Sequence, residues 1–216
     1  MKKLIAFDMD GVIFEHHNFW MELHNELGTL EEGIELTKKY VKTNYEKLVA
    51  EVIGRVWANK PAKPYFDLIK RHKYVNGCKK TFEEIRKKKD ISMIISSGSY
   101  DLALRAQRDF CIDYVFANRL PIKDDIIVGT SEMSYWKIKD DSKVEPLEEV
   151  KDKLGINGTD VIAVVHDKND IKLARHVKKI GGKVIGFMFE PHVEVEKECT
   201  VIVRSDDLSS ILSYIY

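Results

Sequence analysis

The chain has 216 residues and 44% hydrophobic content, enough for one large domain or a core with a smaller insert, and typical of an ordinary globular protein. Lys plus Arg and Asp plus Glu both number 35. No net field therefore draws the chain to nucleic acid or a membrane surface, and no apolar run approaches the ~18 residues of a membrane span. Cys78, Cys111 and Cys199 are few, odd in number and widely spaced, which fits neither a zinc site nor a disulfide framework and points to a reducing cytoplasm.

Met1-Lys2-Lys3 leads straight into the first apolar strand, without the length of a secretory leader. The strand runs from Leu4 into Asp8-Met9-Asp10-Gly11. Side chains alternate along an extended strand, so Asp8 and Asp10 are expected on one side at its C-terminal end. Open α/β sheets bind ligands at that end. Two carboxylates held together there repel and lose hydration, and a cation or a proton must compensate. The plainer alternative is an acidic turn that simply closes the strand.

A helical pattern follows. Residues 15–27 place Phe19, Leu23 and Leu27 on one face, and Gly28 is the expected stop. Thr29 with Glu32 reads as a capping box for a second helix to about Lys42. Asn44 is expected to cap a third, with Leu48, Val52 and Val56 on its apolar face, until Pro61 and Pro64 break it. A short fourth helix reaches Arg71. Residues 14–75 thus read as a helical cap domain inserted into an α/β core of residues 1–13 and 76–216. The basic runs Lys70–Lys73 and Arg86–Lys89 end predicted helices, where cations suit the macrodipole, and no RNA-binding pattern accompanies them.

From Asn76 onward strands and helices alternate. Thr81 and Glu84 suggest a capped helix to about Lys89. A strand from Ile91 to Ile95 ends in Ser96-Ser97-Gly98-Ser99, which is expected to open a helix through Phe110. Tyr114–Ala117 reads as a strand, and residues 118–138 as a small β-excursion with an Asp124-Asp125 turn. Lys143 precedes a helix to Leu154. The strand Val161–Val165 runs into His166-Asp167-Lys168-Asn169-Asp170 and a helix to about Ile180. Strands at 183–189 and 201–203 and a terminal helix from about Asp206 close the chain. This alternation predicts an α/β, Rossmann-like three-layer core with a mostly parallel sheet, plus an inserted all-helical cap.

Parallel strands share one C-terminal edge, so four polar strand ends can meet there. They carry Asp8 with Asp10; Ser97 with Gly98; Lys143; and the segment 166–170. A serine- and glycine-rich turn at a helix N-terminus offers free N–H groups to an anion. Taken singly, Ser97 is also an ordinary cap, Lys143 a surface lysine and 166–170 a polar turn.

Together these segments resemble the haloacid dehalogenase (HAD) superfamily, in particular its phosphoserine-phosphatase-like branch. FDMDGV is similar to the first motif, which makes Asp8 the expected nucleophile and Asp10 the acid/base. IISSGS is similar to the second, with Ser97 and Gly98 toward phosphate, and KVEPLEEVKDKLGI to the segment carrying the third-motif lysine, Lys143. VIAVVHDKND falls where the acidic fourth motif belongs, and Asn169 would join the phosphate contacts. ANRLPIKDD and IGGKVIGFMFEPHVEVEKECTVIV resemble the branch's β-excursion and closing strands, so the likeness covers nearly the whole chain. It implies a metal-dependent phosphatase that acts on a small phosphorylated metabolite through an aspartyl-phosphate on Asp8. Mg²⁺, or Mn²⁺ or another divalent ion, would be held by Asp8, Asp10, Asp167 and Asp170. The protein would be a cytoplasmic monomer or homodimer with no nucleic-acid or membrane partner.

Two departures qualify the likeness. The branch usually reads Gly-Asp-Gly-x-Asn-Asp in its fourth motif. Here Val165 and His166 stand for the first two residues and Asp167 for the second glycine, while Asn169 and Asp170 match. Neutral imidazole is a poor ligand for hard Mg²⁺ and a better one for Mn²⁺, Zn²⁺ or Ni²⁺. Three arrangements stay open: Asp167 reaches the metal through a one-residue shift, Asp170 takes over, or metal binding is weakened. The last would leave a catalytically weak relative that binds a phospho-ligand or a protein partner. A phosphomutase or phosphotransferase would use the same aspartyl-phosphate. In the insert, the positions where the branch reads the ammonium and carboxylate of phosphoserine fall on His17 and Ala50, with Glu15, His16 and Arg55 near but out of register. Glu15, His17 and Arg55 are the candidate substrate contacts on that side, and phosphoserine itself is not favoured. Trp20, Trp57, Phe19 and Tyr45 either line a less polar pocket or form the insert's core.

Overall fold

The computed structural model describes residues 2–15, 18–129, 136, 138, 142–188, 190 and 192–216. In chain order the elements are β1 (Leu4–Phe7), α1 (Phe19–Glu26), α2 (Leu30–Tyr40), α3 (Tyr45–Glu51), α4 (Lys63–Arg71), α5 (Cys78–Lys87) and β2 (Ile91–Ser99). Then come α6 (Tyr100–Phe110), β3 (Tyr114–Asn118), β4 (Ile122–Lys123), β5 (Ile126–Ile127), α7 (Val144–Leu154) and β6 (Val161–Val165). The chain closes with α8 (Ile171–Lys179), β7 (Lys183–Phe187), α9 (Val193–Glu196), β8 (Val201–Val203) and α10 (Leu212–Ile215).

Six strands form one parallel sheet in the order β3-β2-β1-β6-β7-β8. Every residue of β1 is buried, and its side chains alternate between two cores. Ile5 and Phe7 join Phe82 and Leu102 on one face; Leu4 and Ala6 join Leu147, Val150 and Leu173 on the other. Helices cover both faces, which is why the strands read as continuous apolar runs. The chain leaves β1 toward β2 on one side and returns to β6 on the other. The C-terminal edge at β1 is therefore the switch point where such sheets open a crevice.

The described elements between β1 and α5 are all helical, and a π-helical turn, Val52–Val56, follows α3. The β4–β5 pair is antiparallel, and Asp124 and Asp125 form its turn at φ 51 and 60, the left-handed geometry that a two-residue hairpin favours.

Local details differ from the sequence reading. The hydroxyl of Thr29 engages His24, with Oγ1 2.8 Å from the ring Nδ1, and does not cap α2. Helix α5 starts at Cys78 behind Gly77 at φ +76, so Thr81 lies inside the helix and donates to the Gly77 carbonyl. Strand β2 continues through Ser99, past an irregularity after Ile95. The residue that caps α6 is Ser99, whose Oγ accepts from Leu102 N at 3.2 Å. Ser97 and Gly98 thus sit on a strand end and not at a helix N-terminus. No helix among the described residues is long and apolar enough to cross a membrane.

Candidate active site

The sheet ladder extends one residue past β1, through Asp8 N to Val164 O at 3.0 Å. The chain then turns sharply. The Met9 carbonyl accepts from the N–H groups of Val12, Ile13 and Phe14, and Gly11 takes φ +75. The ladder ends at Asp8 and Asp10 lies on the turn, yet its carboxylate is close enough to push up those of Asp8 and Asp167. Asp8 is buried; Asp10 is half-buried.

Lys143, at the start of α7, is fully buried. Its Nζ donates to Asp8 Oδ1 at 2.9 Å and to Asp170 Oδ1 at 2.7 Å. Asp170 closes the 3₁₀ turn after β6, and its Oδ2 accepts from the N–H of His166 at 2.9 Å and of Asp167 at 3.3 Å. Asp167 caps that turn, with Oδ1 accepting from Asn169 N at 2.8 Å, and Asn169 Nδ2 lies 3.3 Å from its Oδ2. Carboxylate oxygens of Asp8, Asp167 and Asp170 all lie within 4.8 Å of one another.

Three carboxylates share this space with one ammonium. Burial pushes the Asp8 carboxyl well up, and Asp170 adds to that while Lys143 opposes it. Burial and the neighbouring Asp170 push Asp167 up to about 6. Burial works against the Lys143 ammonium, but Asp170 and Asp8 more than offset it and hold its pKa above the usual range. The cluster carries excess negative charge in a dry place and is made of oxygen donors. That combination fits a hard divalent cation.

His166 stands apart from this cluster. Its Nδ1 donates to the Phe187 carbonyl at 3.1 Å, at the end of β7. Its ring lies over Gly11, where an added Cβ would come within 2.4 Å of it. Of the three arrangements open in the sequence, this geometry brings in both Asp167 and Asp170. Asp10 is not in the cluster through its carboxylate; its Oδ2 accepts from Phe19 N, at the start of α1, at 3.4 Å.

The second motif closes on the same edge. A Cβ on Gly98 would meet Met9 Cε at 2.7 Å and Asp10 Oδ1 at 3.2 Å, so only glycine lets β2 approach the acidic turn this closely. The Ser97 carbonyl accepts from Trp20 Nε1 and from Asn118 Nδ2, both at 2.9 Å. Ser97 and Asn169 line one end of a cavity of about 240 Å³ whose other walls come mainly from the helical insert.

The insert-side candidates do not meet there. Arg55 is exposed and pairs with Glu32 at 2.6 Å and Glu51 at 2.8 Å. Glu15 lines a different cavity, of about 550 Å³, beside Gly11, His166 and Asp167. His17 lies outside the described residues. Trp20, Trp57 and Tyr45 do line the insert's cavity, while Phe19 is core and does not. Sequence reasoning missed Trp136 and His24, which also line it. His24 reads as one more polar residue on α1, and Trp136 reaches the cavity only through tertiary packing.

Residues 2–178 match the family model of haloacid dehalogenase-like hydrolases, and the chain belongs to that family. It falls in the phosphoserine-phosphatase-like branch, a group of phosphoric monoester hydrolases, as the following similarities show. The chain is 30% identical over 217 residues to a phosphoserine phosphatase of Methanocaldococcus jannaschii, covering 99% of this chain and 98% of the relative. It is 24% identical over 195 residues to a phosphoserine phosphatase of Lactococcus lactis, covering 89% and 87%. Among solved structures, phosphoserine phosphatase in apo form superposes with TM-score 0.82 at 27% identity over 100% of both chains. A phospho-aspartyl intermediate analogue of phosphoserine phosphatase superposes with TM-score 0.81 at 28% identity, over 100% of this chain and 99% of that one.

Proposed function

We propose that the protein is a metal-dependent phosphatase that hydrolyses a small phosphomonoester in the cytoplasm through an aspartyl-phosphate on Asp8. The observation that carries this reading is the buried Asp8–Lys143–Asp170 chain, with Asp167 completing a three-carboxylate cluster at the switch point. An Asp8 carboxylate oxygen attacks phosphorus in line, and the bond to the ester oxygen breaks. Asp10 gives its proton to the leaving alkoxide and then takes one from the water that cleaves the acyl phosphate. Lys143, held by Asp170, keeps its ammonium beside Asp8, where it stabilises charge on the equatorial oxygens of the phosphoryl group that Asp8 receives. Ser97, Gly98 and Asn169 contact the phosphoryl oxygens. Asp8, Asp167 and Asp170 are the side chains that would hold Mg²⁺ or Mn²⁺. Bound there, a divalent cation would offset the charge of carboxylate and phosphate so that two anions can meet. The insert, residues 14–75, covers the site as a cap.

The test is a set of initial-rate assays on a panel of small phosphate esters, with Mg²⁺, Mn²⁺ or chelator. Turnover should need the metal, and Asp8→Asn should lower it by at least about 10³-fold. Hydroxylamine should trap an acyl phosphate on wild-type protein and not on Asp8→Asn. Turnover that survives Asp8→Asn would overturn the reading.

A further inference from the structure

The cavity between insert and sheet edge has an unusual lining for a site that handles phosphate esters. Away from Ser97 and Asn169, its walls are mostly Trp20, Trp57, Trp136, His24 and aliphatic side chains, and the other polar residues there, Asn18, Thr37 and Tyr45, are uncharged amide or hydroxyl groups. No Asp, Glu, Lys or Arg belongs to this lining among the described residues. At about 240 Å³ it is smaller than the ~300–1,000 Å³ of drug-sized ligand pockets, which suits one ring or a short branched chain.

The three indoles form a continuous cluster. The Trp20 and Trp136 rings lie 4.5 Å apart, and those of Trp20 and Trp57 5.9 Å apart. The Trp20 N–H is engaged by the Ser97 carbonyl, and that of Trp57 by His24 Nδ1 at 3.1 Å. Both rings therefore offer the cavity hydrocarbon. Trp136 is buried, and its Nε1 has no acceptor among the described residues, which leaves a donor for an oxygen of an incoming molecule. Burial pushes His24 down to about 4, so it brings no cation at neutral pH. Arg55, the insert's candidate for reading a carboxylate, is engaged outside by Glu32 and Glu51. A zwitterionic amino-acid leaving group would bring two charges against walls that neutralise neither.

We infer that this cavity selects esters whose leaving group is uncharged and apolar, about the size of one ring. The inference rests on the phosphatase reading for the chemistry but has a binding test of its own. Benzylphosphonate and methylphosphonate are titrated into the wild-type protein with Mg²⁺ by calorimetry. The benzyl compound should bind about 10–100-fold tighter. Trp57→Ala, at the wall away from Ser97 and Asn169, should erase most of that difference and leave methylphosphonate binding within a few-fold. In turnover, benzyl phosphate should exceed O-phosphoserine in kcat/KM by a similar factor, both leaving as alkoxides. Equal binding of the two phosphonates would overturn the inference, as would phosphoserine turned over as well as benzyl phosphate. If Asp8→Asn keeps its activity while the phosphonate preference holds, the mechanism fails and the pocket inference stands. If activity needs Asp8 and no preference is found, the reverse is true.

Discussion

A gap-free alignment puts His166 at the first acidic position, but the side chain that joins the carboxylate cluster is that of Asp167. The aligned position holds an imidazole tied to the Phe187 carbonyl and packed on Gly11, and the carboxylate comes from the next residue. Asp167→Asn should therefore raise the Mg²⁺ concentration for half-maximal activity about 10-fold or more, whereas His166→Ala should leave it within a few-fold. A metal titration of activity for the two variants checks this. Protons should compete with the metal at Asp167. Its carboxyl is raised to about 6, so apparent metal affinity should fall as pH drops through that value and level off above it. Gly11→Ala would place a methyl group into the His166 ring at a positive φ and should lower stability by about 1–3 kcal/mol in denaturant titrations. Asp8, Lys143 and Asp170 were legible because their types and order are distinctive. Which of two neighbouring residues faces the cluster was not, because a contact with the distant turn at Gly11 decides it.

At the scale of elements, the apolar runs gave the parallel strands and the helical periodicity gave the insert, since both periods survive in any tertiary context. Caps fared worse. Thr29 was diverted to His24 and Thr81 was absorbed into α5, because a hydroxyl bonds whichever partner the packing brings. The N-cap role predicted for the Ser96–Ser99 run fell to its last residue, since β2 runs further than its apolar part. The burial of His24 has a measurable consequence in α1, which its bond to Thr29 opposes. Burial lowers His24 to about 4, well below the ~6.5 of an unfolded chain. Between those values the unfolded state binds the proton and the folded state does not, so stability should fall as pH drops from about 6.5 to 4. His24 accounts for on the order of 2–3 kcal/mol of that fall. Urea midpoints at pH 4.5 and 7 should show it, and His24→Gln should flatten the slope over that interval.

Across the whole molecule, Lys143 joins α7 to the ends of β1 and β6 and is the ammonium between Asp8 and Asp170. Lys143→Met would leave those carboxylates facing each other and should cost about 3–5 kcal/mol in guanidinium titrations. Part of the loss should return on adding Mg²⁺, as expected for a cation that binds only the folded state. The architecture has one more consequence. The chain contains three tryptophans, and all three line the cavity at the sheet edge. Its tryptophan emission, excited at the red edge where tyrosine does not absorb, therefore originates entirely beside the candidate site. The unlabelled protein carries a native optical reporter, and stopped-flow fluorescence could time ligand entry, insert movement and product departure without an added dye.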